Sequence, residues 1–269
     1  MIRFPGILDF KMETAGGFVS ATGGTVSYIG DYKIHTFTSS GDFQVLNSLT
    51  DVSIFIVSAG GSGGNTYSYA QAGGGGGAGG VSLFKINLNV GTYPVVVGSA
   101  TSGTGKSSFN TTYYANKGGS GGSGNGTNGY TGGSGGGGGQ GTLMGATSGG
   151  DASAGSSTAY GNAGGSGNAT SASPYTNGSG GGGGAGGAGA SATSHSAGGT
   201  GIVFMGTTYA EGGHGCYFDS YGAHPASPTQ KTTKGSGGYG GIWYENPPSK
   251  YWAPSYGNDG IVIIVYKYK

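Results

Sequence analysis

The chain has 269 residues, and 69 of them are glycine, about 26 % where folded proteins average about 7 %. Leu, Ile, Val and Phe together fill 41 positions, about 15 %, too few for a helical bundle or an ordinary globular enzyme core. Charged residues make up only 8 % with a net charge of +1, which excludes charge-driven disorder and argues against nucleic-acid binding.

The first residues, MIRFPGILDFKMETAGG, carry one arginine, Arg3, but Pro5, Asp9 and Lys11 interrupt any apolar stretch. No secretory signal is expected there. Phe4, Ile7, Leu8 and Phe10 form a small apolar set suited to docking on a partner. Short segments rich in β-branched and aromatic residues then follow one another between turn residues: TVSYI (25–29), YKIHTFT (32–38), FQVL (43–46), VSIFIVSA (52–59), VSLFKINLNV (81–90) and YPVVV (93–97). Each reads as a β-strand. Phe84, Ile86, Leu88 and Val90 fall on one face by alternation, and NVGT (89–92) turns one strand into the next.

From 101 to 200 the large aliphatic, Met and Phe set is limited to Phe109, Leu143 and Met144, which cannot make a hydrophobic core. Residues 118–200 contain 34 glycines, one acidic residue, Asp151, and no Lys or Arg. Five-glycine runs stand at 73–77, 135–139 and 180–184. There is no G-X-Y register, so collagen is excluded. Glycine loses more backbone entropy on folding than any other residue, and without side chains to bury, backbone hydrogen bonds between chain segments must compensate. Packed polyglycine-II helices supply such bonds, because no Cβ blocks close approach. Irregular glycine-rich loops are the alternative.

Beyond the glycine blocks, IVFM (202–205) reads as a further strand leading through MGTTY into a loop, and GIVIIVYKYK (260–269) as the most apolar and hence a central one. No segment has helical periodicity. The expected fold is all-β: a β-sandwich-like shell closed by the C-terminal strand, with a large glycine-rich insertion forming polyglycine-II helices and loops. The expected organisation is an N-terminal attachment segment (1–24), a β-sandwich (25–100 with 257–269) and a glycine-rich region with display loops (101–256). The single cysteine, Cys216, excludes an internal disulfide framework. The longest aliphatic run, 261–265, is too short to cross a bilayer.

Several motifs carry chemistry on paper. ATSGTGKS (100–107) follows a strand and fits a relaxed phosphate-loop pattern. The following SFNTTYYANKGG is a poor helix, and a phosphate loop needs a helix N-terminus facing the phosphates; a turn is the better reading. GNGTNG (124–129) fits G-x-G-x-x-G only by chance within glycine repeats. Glu211, His214, Cys216, Asp219 and His224 cluster within fourteen residues. They admit a zinc site, but lack the paired second half of a structural one, so loop residues with a packed Cys216 are the better reading. His35 reads as a sheet residue rather than a base. Ten carboxylates, thinly spread, name no glycosidase pair, and no catalytic residue, cofactor or metal is assigned.

Aromatics carry the stronger expectation. Tyr217, Tyr221, Tyr239, Trp243, Tyr244, Tyr251, Trp252 and Tyr256 crowd one forty-residue region holding five of the eight prolines. Rigid rings on Pro-stiffened loops with Ser, Gly and Asn have the composition of a binding surface, although packing at the sandwich ends or between subunits uses the same residues. Tyr113, Tyr114, Tyr160 and Tyr175 are secondary candidates at loop tips.

Read in order, DYKIHTFTSSGDFQV, VSIFIVSAGGSGG, AGGGGGAGGVSLFKINLNVGTYPVVVGS, the glycine blocks and the terminal GNDGIVIIVYKYK resemble the glycine-rich domain at the receptor-binding ends of bacteriophage tail fibres. More distantly they are similar to the glycine-rich tip adhesins of T-even-like phages, whose polyglycine-II bundle presents loops to the host. The specific parts are the strand ending in a glycine run, the NVGTYPVVVG hairpin and the final GIVIIVY strand. The resemblance covers roughly residues 25–269, and only about 24 residues precede it instead of a long fibre shaft. It implies a virion location, at a fibre tip or particle surface, and a homotrimer. It also implies attachment to a host cell-surface glycan or outer-membrane protein, contacts with other virion proteins, and neither nucleic-acid binding nor membrane insertion. A non-adhesive virion structural or decoration protein is the alternative. Ice binding by a glycine-rich bundle is disfavoured because ordered Thr rows are absent.

Overall fold

The computed structural model describes residues 20–67, 71–102, 104–140, 159–168, 178–192, 196–219, 222–225, 231–244 and 250–269. All regular structure among them is β. The strands are β1 (Ala21–Thr22), β2 (Thr25–Ile29), β3 (Tyr32–Phe37), β4 (Gly41–Val45), β5 (Leu49–Val57), β6 (Gln71–Ala72), β7 (Val81–Leu88), β8 (Gly91–Val96) and β9 (Ser107–Phe109). They continue as β10 (Tyr113–Ala115), β11 (Ala159–Tyr160), β12 (Ile202–Phe204), β13 (Thr207–Tyr209), β14 (Cys216–Asp219), β15 (Gly222–Pro225), β16 (Ile242–Tyr244), β17 (Lys250–Trp252) and β18 (Ile261–Lys267).

Two antiparallel sheets make the sandwich. One has the order β1-β4-β8-β9-β10, the other β11-β7-β5-β18-β3-β2. Between them lie Phe43, Val45, Val95 and Phe109 from the first sheet and Ile54, Ile56, Val262, Ile264 and Tyr266 from the second. The six-stranded sheet buries its other face as well. Phe55, Val57, Ile261, Ile263 and Val265 pack there against Ile202, Phe204 and Tyr209 of the β12–β13 hairpin and against Ala78 and Ala185. Burial on both faces is why β18 is apolar without alternation. As its composition predicts, it is central, paired to β5 and β3.

The turn at residues 89–90 does not make a hairpin. β7 pairs with β5 and β11, whereas β8 pairs with β4 and β9, so the chain turns a corner between the sheets. Leu88 is buried, Phe84 and Ile86 pack against the same core, and Val90, one step past the strand, is exposed. IVFM continues directly into a hairpin, because Met205 (φ 49°) and Gly206 (φ 78°) both take the left-handed conformation of a type I′ turn.

Glycine builds the rest. In residues 73–80 the amides of Gly73, Gly76 and Gly79 donate to the carbonyls of Gly241, Gly238 and Gly235. Those of Gly74, Gly77 and Gly80 donate to Gly122, Gly119 and Asn116, and those of Gly75 and Ala78 to Gly180 and Gly183. Every set recurs at the third residue, the turn length of a polyglycine-II helix. On the acceptor side, Gln140, Gly137 and Ser134 donate to Ala72, Gly75 and Ala78, while Gly64 and Gly61 donate to Gly74 and Gly77, and Gly213 to Gly76. Six segments thus surround this one, as in hexagonal packing. A Cβ added at Gly76 would stand 2.2 Å from the Gly61 carbonyl oxygen, and one at Gly75 2.1 Å from that of Gly213. Close approach, not turn geometry, demands glycine here.

The rods share one axis. Segments 58–67, 115–124, 134–140, 160–168, 210–215 and 235–242 leave the sandwich, and 71–80, 178–185, 196–201 and 252–260 return to it. Strands β9 and β10, after residue 100, belong to the five-stranded sheet, and the rods 58–67 and 71–80, before it, belong to the lattice.

Candidate functional site

Eight polyglycine-II residues span roughly 25 Å, so the outer ends of the rods form a surface remote from the sandwich. The described residues 67 and 71, 124 and 127, 168 and 178, 192 and 196, 219 and 222, and 244 and 250 flank chain reversals at that end. A small β-cap closes it. β16 pairs with β17 on one side and β6 on the other, and β14 pairs with β15. Gly178 bridges to Tyr217 and Gln140 to Ala72. Ala72, Cys216 and Ile242 form its core, with Trp252 packed against them.

This cap holds much of the aromatic set. The register places Trp243 opposite both Tyr251 and Gln71, Tyr244 opposite Lys250, and Ile242 opposite Trp252. Tyr251 is 52 % exposed, and its hydroxyl donates to Asn65 Oδ1 at 3.2 Å. Tyr67 is 63 % exposed, with its amide donating to Gln71 Oε1 at 3.0 Å. Tyr217 is half-buried on β14, while Tyr239 and Tyr256 lie midway along their rods, the first half-buried and the second exposed. Tyr221 and Tyr175, and Phe4, Ile7, Leu8 and Phe10, fall outside the described residues.

Asn65, Tyr67 and Gln71 escape the sequence reading, because NTYSYAQ separates two glycine blocks without strand or motif character; its marker is the interruption of glycine itself. The secondary candidates sit elsewhere than at loop tips. Tyr113 on β10 stacks on Phe84 with centroids 4.1 Å apart, Tyr114 lies beneath the Lys106 ammonium at 3.5 Å, and Tyr160 on β11 packs against the outer core. Strands of two or three residues leave no periodicity to read.

Of the titratable cluster at 211–224, the side chains of Asp219 and His224 lie outside the described ones, and Glu211, His214 and Cys216 each engage a partner of their own. The Glu211 carboxylate takes Lys231 Nζ at 3.0 Å and the Thr233 hydroxyl at 3.1 Å. The Cys216 thiol donates to the Gly240 carbonyl at 2.9 Å. His214 Nδ1 accepts the Gly198 amide at 3.4 Å, and burial, then the Lys231 charge, hold this imidazole below its ordinary pKa against the opposing pull of Glu211. No three His, Cys, Asp or Glu side chains gather as metal ligands among the described residues. Residues 100–107 lead into β9 rather than a helix, so no helix N-terminus faces that loop.

Residues 37–267 match the family model for a glycine-rich domain. The chain belongs to the glycine-rich domain family. Comparison with curated proteins returns no match. The matched stretch begins at Phe37, the last residue of β3, and runs through β18, so it takes in the lattice and both sandwich sheets except β1, β2 and the rest of β3.

Proposed function

We propose that this protein is a receptor-binding, fibre-tip adhesin of a bacteriophage virion that attaches to a host glycan or outer-membrane protein through the outer end of its lattice. The observation carrying this reading is the exposed pair Tyr67 and Tyr251 on the β-cap, tied to Asn65 and Gln71. Rods fixed by main-chain bonds preorganise that end, and rigid aromatics with amides beside them suit sugar rings or the apolar loops of an envelope protein. The resemblance to tail-fibre domains supports the same reading, with homotrimers as the state to test by light scattering. Purified protein labels host cells, and the double variant Tyr67→Ala, Tyr251→Ala loses labelling while melting at an unchanged temperature. Equal labelling by both proteins refutes the assignment.

A second reading, a virion structural or decoration protein, is favoured by β2. This edge strand presents Val26 and Tyr28 exposed and pairs, among the described residues, with β3 alone, a template for strand addition by another subunit. Particles that assemble with the protein, yet adsorb equally without it, would favour this reading.

A further inference from the structure

On the flank of the five-stranded sheet, at the sandwich end of the rods, an open cleft of about 420 Å³ is lined by Val96, Thr104, Lys106, Ser108, Thr111 and Lys117. Thr104, Gly105 and Lys106 of this lining belong to the phosphate-loop look-alike of the sequence. Lys117 stands at the root of the rod 115–124, and its stem lies across Gly105, where a Cβ would meet Lys117 Cδ at 2.3 Å. Its ammonium gives one hydrogen bond, to the Ala100 carbonyl at 3.0 Å, leaving two donors. The Lys106 ammonium rests on the Tyr114 ring. Neither lysine has a carboxylate partner among the described residues. The Asp259 carboxylate that reaches this loop is engaged by the Ala100 amide at 2.7 Å. Ser108 is 7 % exposed and lines the cleft.

We propose that this cleft binds a carboxylate-bearing sugar residue of an acidic polysaccharide. Two ammonium groups without counter-ions supply charge-assisted hydrogen bonds to a carboxylate. Thr104, Ser108 and Thr111 offer hydroxyls that both donate and accept, the match for sugar hydroxyls. Val96 and the lysine stems give an apolar wall for the C–H face of a ring, and the volume lies in the range of small-molecule sites. A phosphate ligand fits less well, since the loop leads into β9 rather than a helix and no arginine lines the cleft. The site is separate from the β-cap: Lys117 and Gly124 are seven residues apart along one rod, roughly 22 Å.

The test titrates the full chain with digalacturonate, with cellobiose as its neutral counterpart and with inorganic phosphate, followed by calorimetry and by the shifts of the Lys106 and Ser108 amides. Digalacturonate binds saturably, cellobiose does not at equal concentration, and phosphate binds more weakly. Lys106→Gln and Lys117→Gln each weaken digalacturonate binding by about tenfold. The Tyr67→Ala, Tyr251→Ala variant binds it unchanged, which separates failure of this site from failure of the adhesin reading. Absence of digalacturonate binding, equal binding of phosphate, or full binding by a folded Lys106→Gln protein overturns the proposal.

Discussion

His35 Nε2 and the Tyr266 hydroxyl stand 3.2 Å apart inside the sandwich. His35 Nδ1 lies 2.7 Å from the Gly23 carbonyl, and a carbonyl only accepts, so Nδ1 carries the proton and Nε2 accepts from Tyr266. The Tyr266 oxygen in turn accepts from Ser20 Oγ at 3.1 Å. Beside them Lys33 Nζ donates to the Ala21 carbonyl at 2.8 Å. Three side chains of the six-stranded sheet, Lys33, His35 and Tyr266, thus hold residues 20–23, which include β1 of the other sheet.

Burial, with a smaller contribution from Lys33, lowers the His35 pKa from 6.5 to about 4 against the Gly23 hydrogen bond that raises it. Between those values the unfolded chain binds more protons than the folded one, so stability rises with pH across that window. The contribution is complete above pH 6.5 and is lost as pH falls toward 4, on the order of 3 kcal/mol. His214, also lowered, acts in the same direction. Urea unfolding at pH 7, 6, 5 and 4 measures the loss, and His35→Gln shows a flatter profile over the same range.

Three glycine substitutions separate three physical causes. Gly76→Ala puts a methyl 2.2 Å from a main-chain carbonyl and costs about 3 kcal/mol or more, because rods on all sides must move. Gly206→Ala meets nothing within 4 Å but keeps φ +78°, and costs about 1 kcal/mol from the left-handed conformation. Gly41→Ala has its nearest neighbour, a Phe37 ring atom, at 3.9 Å and changes stability by less than about 0.5 kcal/mol. Denaturant midpoints rank the three.

Phe204 stacks on Phe55 with centroids 4.2 Å apart and planes 10° from parallel. This contact seats the β12–β13 hairpin on the six-stranded sheet. Phe204→Ala destabilises by about 3–5 kcal/mol, and amide exchange speeds first in residues 202–209.

Exchange of the described tip residues leaves folding intact. Asn125→Ser, at an exposed reversal, shifts the melting temperature by no more than a surface substitution does, under about 0.5 kcal/mol, whereas Ser134→Leu, fully buried between rods, prevents their packing. Paired melting curves of the two variants decide it.

The sequence makes the sandwich strands visible because composition and alternation are local, and β18 announces its two-faced burial by being apolar throughout. The corner after Leu88 is not visible, since a turn residue such as Gly91 says that the chain bends and not which sheet receives it. Glycine runs reveal the bonding chemistry of the rods, but their shared axis follows from registers such as Gly73 with Gly241, which join distant stretches. The same holds for the tip: Trp243 and Tyr251 are neighbours in sequence, whereas Tyr67 and Gln71 join them only because the lattice brings residue 71 to residue 243.

In the rods the main chain does the bonding, and the identity of a side chain matters there only through its bulk. At the outer end an exposed position such as Asn125 behaves in the opposite way, open to exchange because its side chain points away from the packed rods. On the adhesin reading, the rods carry folding and the outer ends carry host contact. A lineage built on this plan can replace its contact surface by exchanging short peptides, much as one changes the bit on a fixed shank, while the instructions for assembling the molecule stay as they were.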